Sequence, residues 1–394
     1  GSGYIEFDKW NLDMGDVFST FGYNDAEGVR LRAGARTFIG QNDPWRLEGY
    51  MAYGFMDKKV KHGFSAKFLL DKKSRLIISG GNRRDVEQLG LSLTSTNDVL
   101  GRSVASSSVL TVGSNDRLTN INLSTANLEI EPITNFRIRV GSSFRTLSSA
   151  LPEAFNLDYI DLESPTGISS EVKQFDINTL VVYTPGKRTI GYGVERYDIN
   201  DTYSTLILNY TRGFEGFLES DFDYSKLQFS YSQPWQLGGF GRLYSTVELG
   251  KTFGEVPLSL LNVVPGNQTL FTIYKTFPNL DFYEFVTDTY ASVHLEHNFN
   301  GRIFSRIPLI RKWNLREFVG LRGVWGDLSS ENIALSAPTN IPLQAPNDKI
   351  YWEYSVGVGN ILKFFRIDFN FRGNYLDSPN ARSFSVTGEF GFHF

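Results

Sequence analysis

The sequence predicts an all-β fold: one transmembrane antiparallel β-barrel of about sixteen strands, with long loops at one end and mostly short turns at the other. Three observations carry this. Aromatic residues make up 14% of the 394 residues (32 Phe, 19 Tyr, 6 Trp), yet mean hydropathy is only −0.23, so apolar and polar residues must interleave finely. No run of about 18 apolar residues exists, which excludes a helical span. Several segments instead alternate strictly over roughly ten residues, the length a tilted strand needs to cross hydrocarbon and longer than most soluble strands.

Alternate side chains of a strand point to opposite faces, so each alternating segment has an apolar and a polar side. In the first, Val29, Leu31, Ala33 and Ala35 oppose Arg30, Arg32 and Arg36. Segments 46–57, 62–71 and 74–82 follow, then a weak one at 104–113 and another at 117–131. Phe136, Ile138, Val140 and Phe144 oppose Arg137, Arg139 and Arg145. Segments 171–185, 188–198 and 202–212 come next. Leu227, Phe229 and Tyr231 oppose Lys226, Gln228 and Ser230, and segments 241–253, 288–299 and 314–326 continue the series. Trp352, Tyr354, Val356 and Val358 oppose Tyr351, Glu353 and Ser355. Phe365, Ile367, Phe369 and Phe371 oppose Arg366, Asp368, Asn370 and Arg372. The last segment sets Phe384, Val386, Phe390, Phe392 and Phe394 against Ser383, Ser385, Thr387 and Glu389.

A soluble core would not bury such charges unpaired. Apolar faces toward lipid and polar faces toward a wet interior satisfy both sets. Lipid offers no partner for a sheet edge, so the sheet must close. Single-chain barrels of this kind usually have even strand numbers. One of the seventeen segments is therefore surplus, and sixteen strands are expected, with fourteen or eighteen the alternatives.

Residues 1–24 read as a lead-in segment and 25–394 as the barrel. Gly1-Ser2-Gly3, with no charged and apolar leader, reads as a trimmed or mature start. Short turns at 236–240 and 361–363 alternate with long loops at 254–287 and 327–349. With Phe394 at the periplasmic end, the long loops are extracellular. The polar stretches 83–116 and 148–170 are also long, and the pattern does not place both on one side. The stretch 301–313 falls on the periplasmic side. It mixes Ile303, Phe304, Ile307, Leu309 and Ile310 with Arg302, Arg306, Arg311 and Lys312, as an interfacial anchor or a docking surface would.

Charge and composition exclude several functions. Net charge is −4 with pI near 5.7 and no basic block, so nucleic acid is not an expected partner. With no cysteine, thiolate metal sites, disulfides and thiol catalysis are excluded. His294, Glu296 and His297 suggest a metal site, but on a strand His297 faces away from the other two. No nucleotide-binding or hydrolase motif is present. The expectation is a non-enzyme without metal or cofactor, embedded among outer-membrane lipids.

The interior-facing set comprises Arg30, Arg32, Arg36, Arg46, Arg137, Arg139, Arg145, Arg316, Arg322, Arg366 and Arg372, with Glu48, Glu296, Glu353, Asp368 and Glu389. Two readings stand. Arginines and carboxylates pair into a network that stiffens or plugs the barrel, or unpaired arginines line an anion pathway. Pairing is favoured because acidic residues share the same strands. Phe390, Phe392 and Phe394, in phase at the C-terminus, fit the signal that barrel-insertion machinery reads in Gram-negative bacteria. Arg212-Gly213-Phe214 matches the R-G-F triplet of Omp85-type barrels, but seven strands are counted after it rather than five.

Longer blocks carry a resemblance. They are Asp25-Ala26-Glu27-Gly28-Val29-Arg30-Leu31-Arg32, Arg46-Leu47-Glu48-Gly49-Tyr50, Ala52-Tyr53-Gly54-Phe55-Met56-Asp57-Lys58-Lys59, Pro265-Gly266-Asn267-Gln268-Thr269, Leu295-Glu296-His297-Asn298-Phe299-Asn300-Gly301 and Arg306-Ile307-Pro308-Leu309-Ile310-Arg311-Lys312. Together they resemble a Gram-negative outer-membrane barrel family of unknown function whose members usually follow a carboxypeptidase-regulatory-like domain. That family is distantly similar to Omp85 barrels, which insert other barrels or translocate polypeptide. The resemblance implies a sixteen-strand barrel and a component of an envelope protein or lipoprotein assembly or export complex, with protein partners. The alternative is a pore with an arginine-lined lumen for anionic or small polar solutes.

Overall fold

The structure is a computed structural model describing residues 4–15, 19–37, 42–89, 100, 106, 115–378 and 381–391. One eighteen-stranded antiparallel sheet dominates it. Its strands are β1 (Ile5–Phe7), β2 (Leu12–Met14), β3 (Phe21–Asn24), β4 (Gly28–Thr37), β5 (Trp45–Gly54), β6 (Val60–Asp71), β7 (Leu76–Glu87), β8 (Thr119–Ile133) and β9 (Phe136–Ser149). They continue with β10 (Glu171–Tyr183), β11 (Thr205–Gly213), β12 (Tyr224–Gln236), β13 (Arg242–Phe253), β14 (Thr289–Asn298), β15 (Arg316–Asp327), β16 (Tyr351–Ile361), β17 (Phe365–Arg372) and β18 (Phe384–Phe390).

From β4 to β18 each strand pairs with the next. β3 pairs with the first half of β4 and β2 with its last residues, so β2 and β3 form one interrupted wall strand. β1 adds an edge piece on β2. Among the described residues, sixteen wall strands result. The 1–24 stretch, expected as a lead-in, thus contributes the first wall strand as well as β1.

The facing follows the alternation. On β17, Arg366, Asp368, Asn370 and Arg372 are buried while Phe369 is 41% exposed. On β16, Tyr351, Glu353 and Ser355 are buried and Trp352, Tyr354 and Val356 exposed. A soluble sheet would show the reverse. The exposed apolar face is the one that suits lipid.

Because the strands alternate in direction, the connections after β7, β9, β13 and β15 all leave at one end, here the loop end. The two polar stretches that the sequence did not place together therefore share a side, since only β8 and β9 separate them. Part of the first is not loop, as β7 runs on to Glu87. The segment expected as a strand at 188–198 is a correction. It folds into a two-residue ribbon, Thr189–Ile190 with Tyr197–Asp198, inside the connection from β10 to β11. Gly186 and Gly191, both at positive φ, let the chain double back there. The weak segment 104–113 lies outside the described residues apart from Ser106.

A buried apolar core sits inside the sheet at the loop end. Val256, Leu258, Phe282 and Tyr283 of the connection between β13 and β14 pack with Phe155 and Leu157 and with inward residues such as Leu123 and Leu147. Val264, Phe277, Leu280 and Phe285 form a second cluster against Val324 and Tyr351. Phe155, Val256, Phe277 and Phe282 have no exposed surface. Burial of this apolar area is what holds the long connection inside.

Candidate functional site

The inward charges of β4 to β7 form a closed cluster. Arg30, 1% exposed, donates to Glu27 and to both oxygens of Asp85 at 2.7–2.9 Å, and Tyr50 also donates to Asp85. Lys61 bonds Glu27 and Asp57. Arg32 donates to Ser19 and lies over the Tyr50 ring. Arg36 pairs with Asp13, and Tyr4 donates to Glu48. Charge-assisted bonds of this kind give each of these buried charges at least one partner.

Toward the other end of the strand order, Arg366 donates to Glu296 (2.8 and 3.0 Å) and Asp368 (2.9 and 3.0 Å) while stacking over Phe318. Arg372 donates to Glu284 at 2.6 and 3.2 Å, pinning the folded-in connection to β17. Glu353 accepts from Tyr351 and from the Asn279 backbone N–H. Arg322 donates to Asn370 at 3.3 Å, and Arg316 shares its interior phase on β15. Arg145 pairs with Asp176. Arg46 pairs with Glu195, and Arg137 lies 3.6 Å from Glu129. Arg139 lines the cavity beside Arg137. Glu389 accepts from Tyr274, whose phenol is raised by burial and then by Glu389.

The end of the interior away from the loops holds two cavities. One of about 620 Å³ lies beneath the connection from β10 to β11, which crosses to β5. Val194 bonds Asp43, and Arg75 donates to the Gly193 and Val194 carbonyls. In this strap Tyr203, pushed up to about 12 by burial and by its bond to Asp198, lies beside the Lys187–Asp198 pair. The other cavity, about 520 Å³, is lined by Arg242, Lys275, His294, Arg322 and Arg366.

His294 points inward against Phe277, whereas His297 points outward and contacts the Phe240 carbonyl at 2.8 Å. Glu296 belongs to Arg366, so the three do not converge. Arg212-Gly213-Phe214 ends β11 at the loop end, with Arg212 on Asp223 and Phe214 against Phe175. Seven strands follow, as counted. Phe390 is 66% exposed against Phe364 and Phe365; Phe392 and Phe394 lie outside the described residues.

Sequence reasoning missed the partners Glu27, Asp85, Asp13, Asp176 and Glu284. The alternation Arg83-Arg84-Asp85-Val86-Glu87 is a usable signal, masked by the polar stretch that follows it. It also missed the seam. Leu270–Thr272 of the folded-in connection pairs in parallel with Gly388: Thr272 N donates to Gly388 O and Gly388 N to Leu270 O, both at 2.8 Å.

The family model for the C-terminal domain of a family of unknown function (DUF5686) matches residues 120–330, a little over half of the chain. The chain belongs to this family. No curated protein matches by sequence. Among solved structures, the BamA of Haemophilus ducreyi lacking POTRA domains 1–3 is similar at 12% identity and TM-score 0.56, over 96% of this chain and 69% of that one. CdiB from Escherichia coli is similar at 10% identity and TM-score 0.49, over 97% and 63% respectively. OccK10 from Pseudomonas aeruginosa follows at 12% and 0.37, over 93% and 94%. The BamA likeness shows a shared outer-membrane barrel fold.

Proposed function

We propose that this chain is a non-catalytic, Omp85-like component of an envelope protein or lipoprotein assembly or export complex in the outer membrane, acting through its seam. The supporting observation is how the wall ends. Gly391 N bonds Phe364 O, so alternate residues of β18 pair with β17 and Gly388 points its N–H and C=O away, toward the seam. Among the described residues no ladder joins β18 to β2 or β3. Instead Leu270–Thr272 caps β18, and β1 caps β2.

An unpaired edge in lipid is costly and is the site where an added strand docks. Here short segments of the chain itself fill it, and displacing them exposes a strand acceptor. The pore reading needs a continuous water path, and the buried core at the loop end stands against one.

The test is a mild-detergent pull-down from native membranes, comparing wild type with a Phe271→Cys/Gly388→Cys variant oxidised to lock the cap. Envelope proteins that co-purify with wild type and are lost on locking support the reading. A barrel that purifies alone, or partners indifferent to the lock, refute it.

A further inference from the structure

Glu317 has the outward phase of β15, in register with exposed Val319, Leu321 and Trp325, yet it is only 7% exposed. The connection from β14 to β15 covers it. Phe299 N donates to the Glu317 carbonyl at 3.0 Å, and Phe304 N donates to its carboxylate. The connection therefore folds back over the outer, lipid-side face of the wall at the end opposite the loops.

Two short 3-10 turns, Phe304–Arg306 and Arg311–Trp313, shape this segment. Its apolar side chains remain uncovered, with Leu309 81% and Trp313 59% exposed beside Ile303 and Ile307. Residues 299–315 carry Arg302, Arg306, Arg311 and Lys312 and no acidic residue. The adjoining turn adds Lys363 and Leu362, tied in by Asn360 donating to Asn314 O at 2.7 Å.

On the other side Arg302 donates to Gly239 O at 2.5 Å and lies 4.2 Å over the Phe240 ring. Between the turns is a cleft of about 230 Å³, lined by Arg302, Arg311, Ser305, Asn300 and the Gly238–Gly239 backbone.

We propose that this cleft binds the phosphate of an anionic phospholipid of the adjacent leaflet. Arg302 and Arg311 flank the phosphate, Arg306, Lys312 and Lys363 surround it, and the exposed Ile, Leu and Trp side chains meet its acyl chains. Guanidinium forks match phosphate oxygens. An amphipathic segment in the interface plane combines apolar burial with attraction to anionic lipid, and tryptophan favours that depth. Net positive charge, with the Glu317 carboxylate buried beneath the segment and bonded to Phe304 N, argues for anionic lipid as the occupant; an acidic protein partner is an outcome of the test. The proposal rests on the membrane-spanning reading.

The test uses the full chain in vesicles with and without phosphatidylglycerol, with retained lipid counted by native mass spectrometry after detergent extraction. Wild type should retain phosphatidylglycerol over phosphatidylcholine. Arg302→Gln/Arg311→Gln should lower that retention about 25-fold, roughly fivefold per cation. Arg306→Gln/Lys312→Gln, which leaves the Arg302 contacts intact, should lower it less. Lys72→Gln/Lys73→Gln, the same charge loss in another turn at the same end, should change it under about twofold. Equal loss in all variants, or no preference in wild type, overturns the site. Retention unaffected by any variant assigns the patch to a protein partner and overturns it too. Flotation of the same samples separates the two readings: failure of wild type to insert refutes the membrane reading, whereas insertion without lipid selectivity refutes the cleft alone.

Discussion

Replacing Arg372 with Met removes the pin between the folded-in connection and the wall. Arg372 and Glu284 have side-chain exposures of 0% and 6%, with two bonds at 2.6 and 3.2 Å, and Arg372 also donates to the Asn279 carbonyl. Taking away the cation leaves the Glu284 carboxylate buried near Glu353, a cost of about 3–5 kcal/mol for a broken buried pair. Glu284→Leu leaves a buried guanidinium that keeps its bonds to the Asn279, Asn374 and Tyr375 carbonyls but loses its paired carboxylate. Arg372→Met/Glu284→Leu together replace the pair by apolar groups of similar size, which is close to neutral.

Cost confined to the connection raises the open population by roughly two to four orders of magnitude in either single variant. Limited proteolysis within 254–288 reads that population directly. The expected pattern is fast cleavage in both single variants and near wild-type protection in the double. Costs that add in the double variant, or single variants as protected as wild type, would refute the claim that this pair holds the plug.

Three further outcomes follow from the same geometry. Phe369→Arg, on the outward face midway along β17, should lower stability against urea in lipid by about 2–4 kcal/mol; a neutral result would mean this face does not meet hydrocarbon. Gly241→Ala should cost more than about 1 kcal/mol, since Gly241 sits at φ 92° with a Cβ position 2.0 Å from the Asn298 carbonyl; unchanged urea unfolding would contradict this. Asp198 is partly buried, which works against its ionisation, yet its bonds to Lys187 and Tyr203 hold it below the ordinary aspartate range. A depressed acid stabilises above that range and stops doing so as pH falls through its folded value. Protection of 184–204 against hydrogen exchange, taken relative to the intrinsic rate at each pH, should therefore fall as pH drops through the acid range, and protection unchanged there would refute the assignment.

The wall was legible where the outward face is uniformly apolar. β4, β9, β16 and β17 alternate cleanly because one face is exposed and apolar and the other carries paired charge. β7 and β8 were harder. There Ile121 and Leu123 point inward onto the loop-end core, while outward Asn82 donates to Asn122 and Ser124, which reverses the usual polarity. The ribbon at 189–198 imitates a strand because Thr189-Ile190-Gly191-Tyr192 alternates, and only its glycines betray the fold-back.

Of the candidate site, the inward arginines were readable from phase, but their partners were not. Glu284 and Asn279 lie in a connection whose inward course is set by packing of Phe277, Phe282 and Tyr283, and no local period reports that. The cap on β18 was invisible for the same reason, since Leu270–Thr272 has no strand-like neighbours in sequence.

Planar-bilayer recording of the wild-type full chain tests most directly whether the interior is plugged and the barrel acts through its wall. No steady conducting level is expected at any holding potential, because the core of Val256, Phe277 and Phe282 blocks the loop end. A stable, reproducible unit conductance in wild type would contradict the account and return the arginine-lined interior to the role of a solute path.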